Sequence, residues 1–314
     1  MAHVIATANM KGGVGKTTLS VNLAAALAKD YGKRVLVFDL DTQISATLGL
    51  MPPNVFAKHR KEKRTLKQLL EQSFQINDST PINIKDAIHY SVGQVKNFDL
   101  LPGDIELYDE FVVAEMLHEE AFAFDKLDFQ FVWNRFERNL IANILKPIIS
   151  DYDFIILDCA PGYNLMTRSG LFASDYYLLP MKPEPLSVIG VQLLKRRIDE
   201  LKRLHQPEGG LAVEMLGIVF TMSGNFITGT GMYHRKVMQR IAQDFDTEKI
   251  FKTQIPLDIA VAKAFDSFMP VVLSNPQSTG AKSFVQLTQD FLQKINDREQ
   301  KNQQVATRNL AAIG

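Results

Sequence analysis

Residues 3–18 read His3-Val4-Ile5-Ala6-Thr7-Ala8-Asn9-Met10-Lys11-Gly12-Gly13-Val14-Gly15-Lys16-Thr17-Thr18: a short apolar run, a glycine-rich turn and the opening of a helix. Such a turn leaves several backbone N–H groups facing one small space, where the positive end of the helix dipole can hold phosphate oxygens. Glycines permit positive φ and keep a Cβ out of the anion's way. In this pattern a lysine at position 16 reaches the β- and γ-phosphates, and the Thr17 hydroxyl can ligate Mg²⁺. Gly12, Gly13, Val14, Gly15, Lys16, Thr17 and Thr18 thus form a candidate nucleotide cradle.

Two further apolar runs end in carboxylates. Arg34-Val35-Leu36-Val37-Phe38-Asp39-Leu40-Asp41-Thr42-Gln43 reads as a buried strand with Asp39 and Asp41 at its end. Phe154-Ile155-Ile156-Leu157-Asp158-Cys159-Ala160-Pro161-Gly162 reads as another, with Asp158 at the carboxyl end, where open α/β sheets present their ligand-binding groups. Asp41 has two open readings, a cap for the following helix or a group near the metal. Cys159 reads as a small buried filler beside Asp158.

The turn departs from G-x-x-x-x-G-K-[ST] because Met10 stands where the first glycine would be, and a second lysine, Lys11, sits at the loop entrance. With this deviant loop the chain resembles the ParA/MinD family of Walker ATPases. The resemblance covers residues 1 to about 296 and is weakest over 51–97, which reads as a variable insertion, with 297–314 as a polar C-terminal tail. It implies ATP and Mg²⁺ as ligands and a homodimer in the ATP state, with Lys11 reaching the partner's nucleotide. It implies catalytic roles for Lys11, Lys16 and Asp39, the last positioning or activating the attacking water. Asp158 matches the Walker B aspartate, which orders Mg²⁺ through water, and Asp39-Leu40-Asp41-Thr42-Gln43 is similar to the family's D-x-D-P-Q with Thr42 in place of proline. Ile255-Pro256-Leu257-Asp258 stands where the family has I-P-R-N, placing Met222, Pro256 and Leu257 near adenine; the alternative is that Pro256 only ends a strand.

A chain of 314 residues, 46% apolar, can bury a large core as one P-loop ATPase domain, and no Gly-, Ser- or Pro-rich linker divides it. Short apolar strands alternating with longer amphipathic helices predict an α/β fold with a doubly wound, mostly parallel twisted sheet flanked by helices. Further strands are expected at 98–101, 176–180, 214–221 and 249–253. Helices are expected at 17–29, 111–117, 129–149, 187–204, 232–245, 259–268 and 282–296. Val188, Val191, Leu194, Ile198 and Leu201 show the helical period. The single cysteine suggests a reducing compartment and excludes the nitrogenase iron protein, a relative with this loop that needs a pair of cysteines per subunit. With no signal peptide and no apolar run near the roughly 20 residues of a membrane span, a cytoplasmic, nucleoid-associated protein is expected.

Because the loop begins at Lys11, no N-terminal DNA-reading domain is expected. Small ParA proteins bind double-stranded DNA without sequence preference, which relies on Lys and Arg against phosphates. The 35 basic and 35 acidic residues balance, so a DNA surface needs local clustering. Lys195, Arg196 and Arg197 decorate one helix and Arg235, Lys236 and Arg240 another; both groups match the family's DNA surface by position. Lys58-His59-Arg60-Lys61-Glu62-Lys63-Arg64 with Lys67 is denser, and a solvated loop is its other reading. A small ParB-like or McdB-like adaptor on the cargo is the implied stimulator of hydrolysis. The cargo is a plasmid, a chromosome or a protein organelle, as with the carboxysome-positioning McdA-type members. A MinD-like membrane role needs an amphipathic C-terminal helix, and residues 297–314 offer few large apolar groups, so no membrane is expected. A metabolic P-loop ligase or kinase is the remaining alternative, and Lys11 argues against it.

Overall fold

The computed structural model describes residues 2–74, 81–123, 128–206, 210–224 and 229–311. In chain order the first half holds β1 (His3–Thr7), α1 (Lys16–Tyr31), β2 (Val35–Asp39), α2 (Ser45–Leu50), α3 (Pro53–Lys61), α4 (Leu66–Ser73), α5 (Ile84–Ala87), β3 (Phe98–Leu101), α6 (Glu110–Ala123) and α7 (Phe129–Leu145). The second half holds β4 (Phe154–Asp158), α8 (Leu165–Phe172), β5 (Tyr176–Met181), α9 (Pro185–Leu204), β6 (Glu214–Phe220), α10 (Gly229–Asp244), α11 (Ile259–Ala264), α12 (Val271–Ser274) and α13 (Thr279–Ala311).

Among the described residues six strands form one sheet in the order β3-β2-β4-β1-β5-β6, every pair parallel, as the alternation of strands and helices predicts. Strands buried on both faces must divide their side chains between two cores. Val4, Ala6, Leu36, Phe38, Ile155 and Leu157 face one core, shared with α4 and α6–α10. Ile5, Val35, Val37 and Ile156 face the other, shared with α1, α2 and α13. Alanines of α1 let that helix lie close on the sheet; Ala24, Ala25 and Ala26 are fully buried. The helix ends at Gly32, whose φ of 63° lets its N–H return to the Leu27 carbonyl.

The register sets the site. Thr7 pairs with Asp158 and Asp39 pairs with Asp158, so the carboxyl ends of β1, β2 and β4 lie side by side.

Several expectations need correction. The strand expected at 249–253 does not form: Thr247–Lys249 is a 3-10 turn, and the segment meets β6 through a single bridge, Ile218 to Ile250. Thr253 gives both its N–H and its hydroxyl to Asp290 of α13, at 3.1 and 2.7 Å, which draws the backbone out of a ladder. The helix expected at 129–149 stops at Leu145, and that at 259–268 gives way to a 3-10 turn at Phe265–Ser267. The helix expected at 111–117 runs over Glu110–Ala123. The last helix continues past 296 to Ala311, held by His3–Glu299, Arg298–Glu214 and Lys301–Glu248 pairs at 3.0, 3.7 and 3.7 Å. The stretch 51–97 carries α3, α4 and α5. Its cations are not an open loop: Arg60 bonds the buried Asp104 at 2.9 Å and Glu106 at 3.2 Å, and Lys67 bonds Glu106 at 2.9 Å.

Candidate nucleotide-binding site

The turn between β1 and α1 is built as an anion cradle. Gly13 and Gly15 take φ of 68° and 83°, and a Cβ on Gly12 or Gly13 would meet nothing within 4 Å. Gly15 begins α1 with no side-chain cap, and no acid stands in the first turn, so the amides there and the positive helix end are left for a ligand. The floor is tied down behind the loop: Thr221 Oγ1 donates to the Val14 carbonyl at 2.7 Å, and Asn9 Oδ1 accepts the Lys11 N–H at 2.9 Å while Asn9 Nδ2 donates to Pro180 O at 2.8 Å.

The two lysines of the loop behave differently. Lys16 is buried, and its Nζ closes across the turn onto the Lys11 carbonyl at 3.1 Å. Burial lowers its pKa, a shift opposed by the nearby Asp158 carboxylate. Lys11 turns outward and pairs at 3.1 Å with Glu184, just before α9, with 41% of its side chain exposed.

Asp158 is fully buried and accepts from Thr17 Oγ1 and Ser20 Oγ, both at 2.7 Å. Burial raises its pKa against these bonds and the charge of Lys16. Asp39, beside it, is raised by burial first and by the Asp158 charge second, and it accepts from Thr47 N–H and Oγ1 at 2.8 and 2.7 Å. Asp41 accepts the Gln43 N–H at 3.0 Å, while the capping position ahead of α2 is Ile44, so Asp41 shapes the turn and does not cap that helix. Cys159 is buried, and burial raises its thiol pKa.

The cluster therefore offers hydroxyl and carboxylate oxygen and one buried ammonium. That set fits a magnesium-bound nucleoside phosphate, because Mg²⁺ is held through one or two protein oxygens plus substrate phosphates. Among the described residues, no group of three or more His, Cys, Asp or Glu could hold a metal by itself.

The sequence matches the AAA_31 family model, described as an AAA domain, over residues 2–208. It is 31% identical over 291 residues to the sporulation initiation inhibitor protein Soj of Bacillus subtilis, covering 92% of this chain and 98% of that one. The chain belongs to the ParA/MinD family of P-loop ATPases. Among solved structures, the cell division ATPase MinD of Pyrococcus furiosus superposes with a TM-score of 0.62 at 25% identity, covering 93% of this chain and 99% of that one. The ATP complex of a Cyanothece McdA variant superposes at 0.68 with 18% identity, covering 93% and 96%.

In this ParA/MinD-family chain, Lys11, Lys16, Thr17, Asp39 and Asp158 come together around one cradle. Met222 comes close as well: its Cε would lie 3.7 Å from a Cβ on Gly15, and its φ is 52°. Pro256 bridges Ser223 and Leu257 donates its N–H to Ser223 O at 3.1 Å, which carries both to the same rim. Arg235, Lys236, Arg240, Lys195, Arg196 and Arg197 lie elsewhere, exposed on α9 and α10. Lys195 Nζ stands 5.8 Å over the Phe245 ring, just past α10, so the two helices are neighbours.

Asn9, Ser20, Thr47 and Glu184 were not singled out by sequence. Glu184 carried a usable signal, an acid just beyond the carboxyl end of an apolar run. Thr47 and Ser20 carried none, being ordinary hydroxyl residues on helices until the fold sets them beside the two aspartates. Among the described residues, no helix is long and apolar enough to cross a membrane.

Proposed function

We propose that the chain is an ATP-hydrolysing switch that dimerises around nucleotide, binds nucleoid DNA without sequence preference, and positions or partitions a cargo whose adaptor stimulates hydrolysis. The observation that carries this reading is the division of labour between the loop lysines. Lys16 is committed to its own cradle, whereas Lys11 sits at the mouth with its ammonium outside, paired with the half-exposed Glu184. A cation placed there can be handed to a second molecule's phosphates. Leu186 and Ile189, 70% and 60% exposed on the first turns of α9 behind Glu184, supply apolar surface for such a contact.

In the mechanism, residues 12–18 bind ATP through main-chain amides, with Met222, Pro256 and Leu257 beside the base. Thr17 and Asp158 would hold Mg²⁺, which when bound neutralises charge on the phosphates. Lys16 stabilises the transferring phosphoryl group, as Lys11 of the partner does from the other side. Asp39 orients the attacking water. Removing Asp39's carboxylate therefore leaves binding intact and stops turnover. In the dimer, Arg235, Lys236 and Arg240 of each copy, with Lys195, Arg196 and Arg197, give a doubled set of phosphate contacts and a steep gain in affinity.

The test is ATP turnover and DNA cosedimentation with the parent and Asp39→Ala. The parent should hydrolyse slowly and faster with duplex DNA than with liposomes. Asp39→Ala should stay on DNA in ATP but not in ADP. Turnover that rises only with liposomes, or only with a small acceptor molecule, would replace this reading with a membrane or ligase role.

A further inference from the structure

Helix α6 carries apolar side chains on two sides, and the described residues cover one of them. Val113, Leu117 and Ala121 are buried in the core that α6 shares with α7. On the opposite side Phe111 is 78% exposed and Phe122 88% exposed. Two aromatic rings so exposed on the outer side of one helix form an apolar patch that a partner can cover. Phe111, Glu115 and Phe122 fall at i, i+4 and i+11 on one stripe, with the two rings about 16 Å apart along the axis.

Charge defines what fits. Asp109, Glu110, Glu115 and Glu119 are all exposed, and Glu110–Ala123 contains no lysine or arginine. Glu120 is occupied by Arg135 of α7, and His118 stacks on Phe129 with ring centroids 4.1 Å apart. What remains outward is a pair of aromatic anchors framed by carboxylates. Aromatic anchors ringed by polar groups are the anatomy of a protein-binding hot spot.

We propose that α6 is the docking surface for a basic amphipathic helix of another protein, its apolar side on Phe111 and Phe122 and its cations on Glu115 and Glu119. The docking stands independently of the ATPase reading; its consequence for turnover rests on that reading. Two routes connect α6 to the nucleotide site. The loop entering α6 runs past Asp39: a Cβ on Gly103 would lie 3.0 Å from Asp39 O, and the Gly103 N–H donates to Thr47 Oγ1 at 2.9 Å, the hydroxyl that itself bonds Asp39. On the other side α6 packs on α7, whose buried Glu137 pairs with Arg168 of α8, the helix that follows Asp158. Contacts thus lead from α6 toward Asp39 on one side and toward the helix after Asp158 on the other.

The test uses the full chain and a labelled amphipathic peptide of about 18 residues, five turns, with leucine on one face and lysine on the other, read by fluorescence anisotropy. A twin peptide carries glutamate for lysine. The lysine peptide should bind at least about tenfold more tightly than its twin, and Phe111→Ser/Phe122→Ser should lose that binding by about tenfold. Glu115→Lys/Glu119→Lys should exchange the preference between the two peptides. No binding of the lysine peptide, or equal binding by the serine variant, overturns the proposal. So does nucleotide-independent self-association abolished in the serine variant, which would give the face to a second copy. Anisotropy needs no ATP, so docking that leaves turnover unchanged would sink the link to hydrolysis and not the surface.

Discussion

Lys11 and Glu184 lie 3.1 Å apart, yet both are more than a third exposed, so their attraction is screened and is worth at most about 1 kcal/mol. Glu184→Gln should accordingly leave the melting temperature of the nucleotide-free chain within about 2 °C, measured by calorimetry. Lys16 is in a different situation. Its ammonium is buried against Lys11 O, and a charge-assisted contact to phosphate is worth about 1.5–3 kcal/mol. Lys16→Ala should weaken ATP binding by at least about tenfold in a titration with a fluorescent analogue; unchanged affinity would remove Lys16 from the site. The glycine-rich loop and the acids at positions 39 and 158 were legible because a few chemically demanding residues sit at fixed places relative to apolar runs. The partners Thr47, Ser20 and Asn9 were not, since they acquire a role only when strand register sets distant segments side by side.

Elements legible from pattern were those buried on both faces or carrying a strong helical period, β1, β2, β4 and α9 among them. The segment after α10 misled because its apolar run looks like a strand, whereas Phe251 and Ile255, four residues apart, are the ones that turn inward. That packing is tight: a Cβ on Gly217 would lie 2.7 Å from the Phe251 ring and 2.9 Å from the Lys249 carbonyl. Gly217→Ala should destabilise the fold by roughly 1–3 kcal/mol in urea unfolding. Helix α3 is joined to the edge of the sheet by His59 and His89, whose rings meet edge to face at 5.5 Å. Burial is the first cause lowering both pKa values below 6.5; the charge of Arg64 lowers both further, while Asp99 opposes the shift at His89, and the Arg64 carbonyl and Glu62 oppose it at His59. The unfolded chain takes up these protons near pH 6.5 and the folded chain only lower down. Their contribution to stability is therefore complete above that pH and is lost as pH falls below it, by at most about 1.4 kcal/mol per unit for each ring. Denaturant midpoints at pH 7.5 and 5.5 should differ less for His89→Gln than for the parent.

The whole molecule carries no net charge, so attraction to a polyanion must come from where its cations stand. The groups on α9 and α10 occupy adjoining helices, while the dense cluster at 58–67 is largely spent on Glu62, Asp104 and Glu106. Arg235→Glu should weaken cosedimentation with duplex DNA by about tenfold and lower its salt dependence, with ATP binding unchanged. The fold itself explains how one cradle is assembled. Its parts come from the carboxyl ends of neighbouring strands, and its mouth opens beside a lysine that its own subunit holds only at the surface. Sedimentation velocity on Asp39→Ala and on Asp39→Ala/Lys11→Ala, each with ATP and Mg²⁺, tests that arrangement most directly. The single variant should sediment as a dimer and the double variant as a monomer that still binds ATP. A double variant that dimerises equally well, or a single variant that stays monomeric with ATP bound, would contradict it.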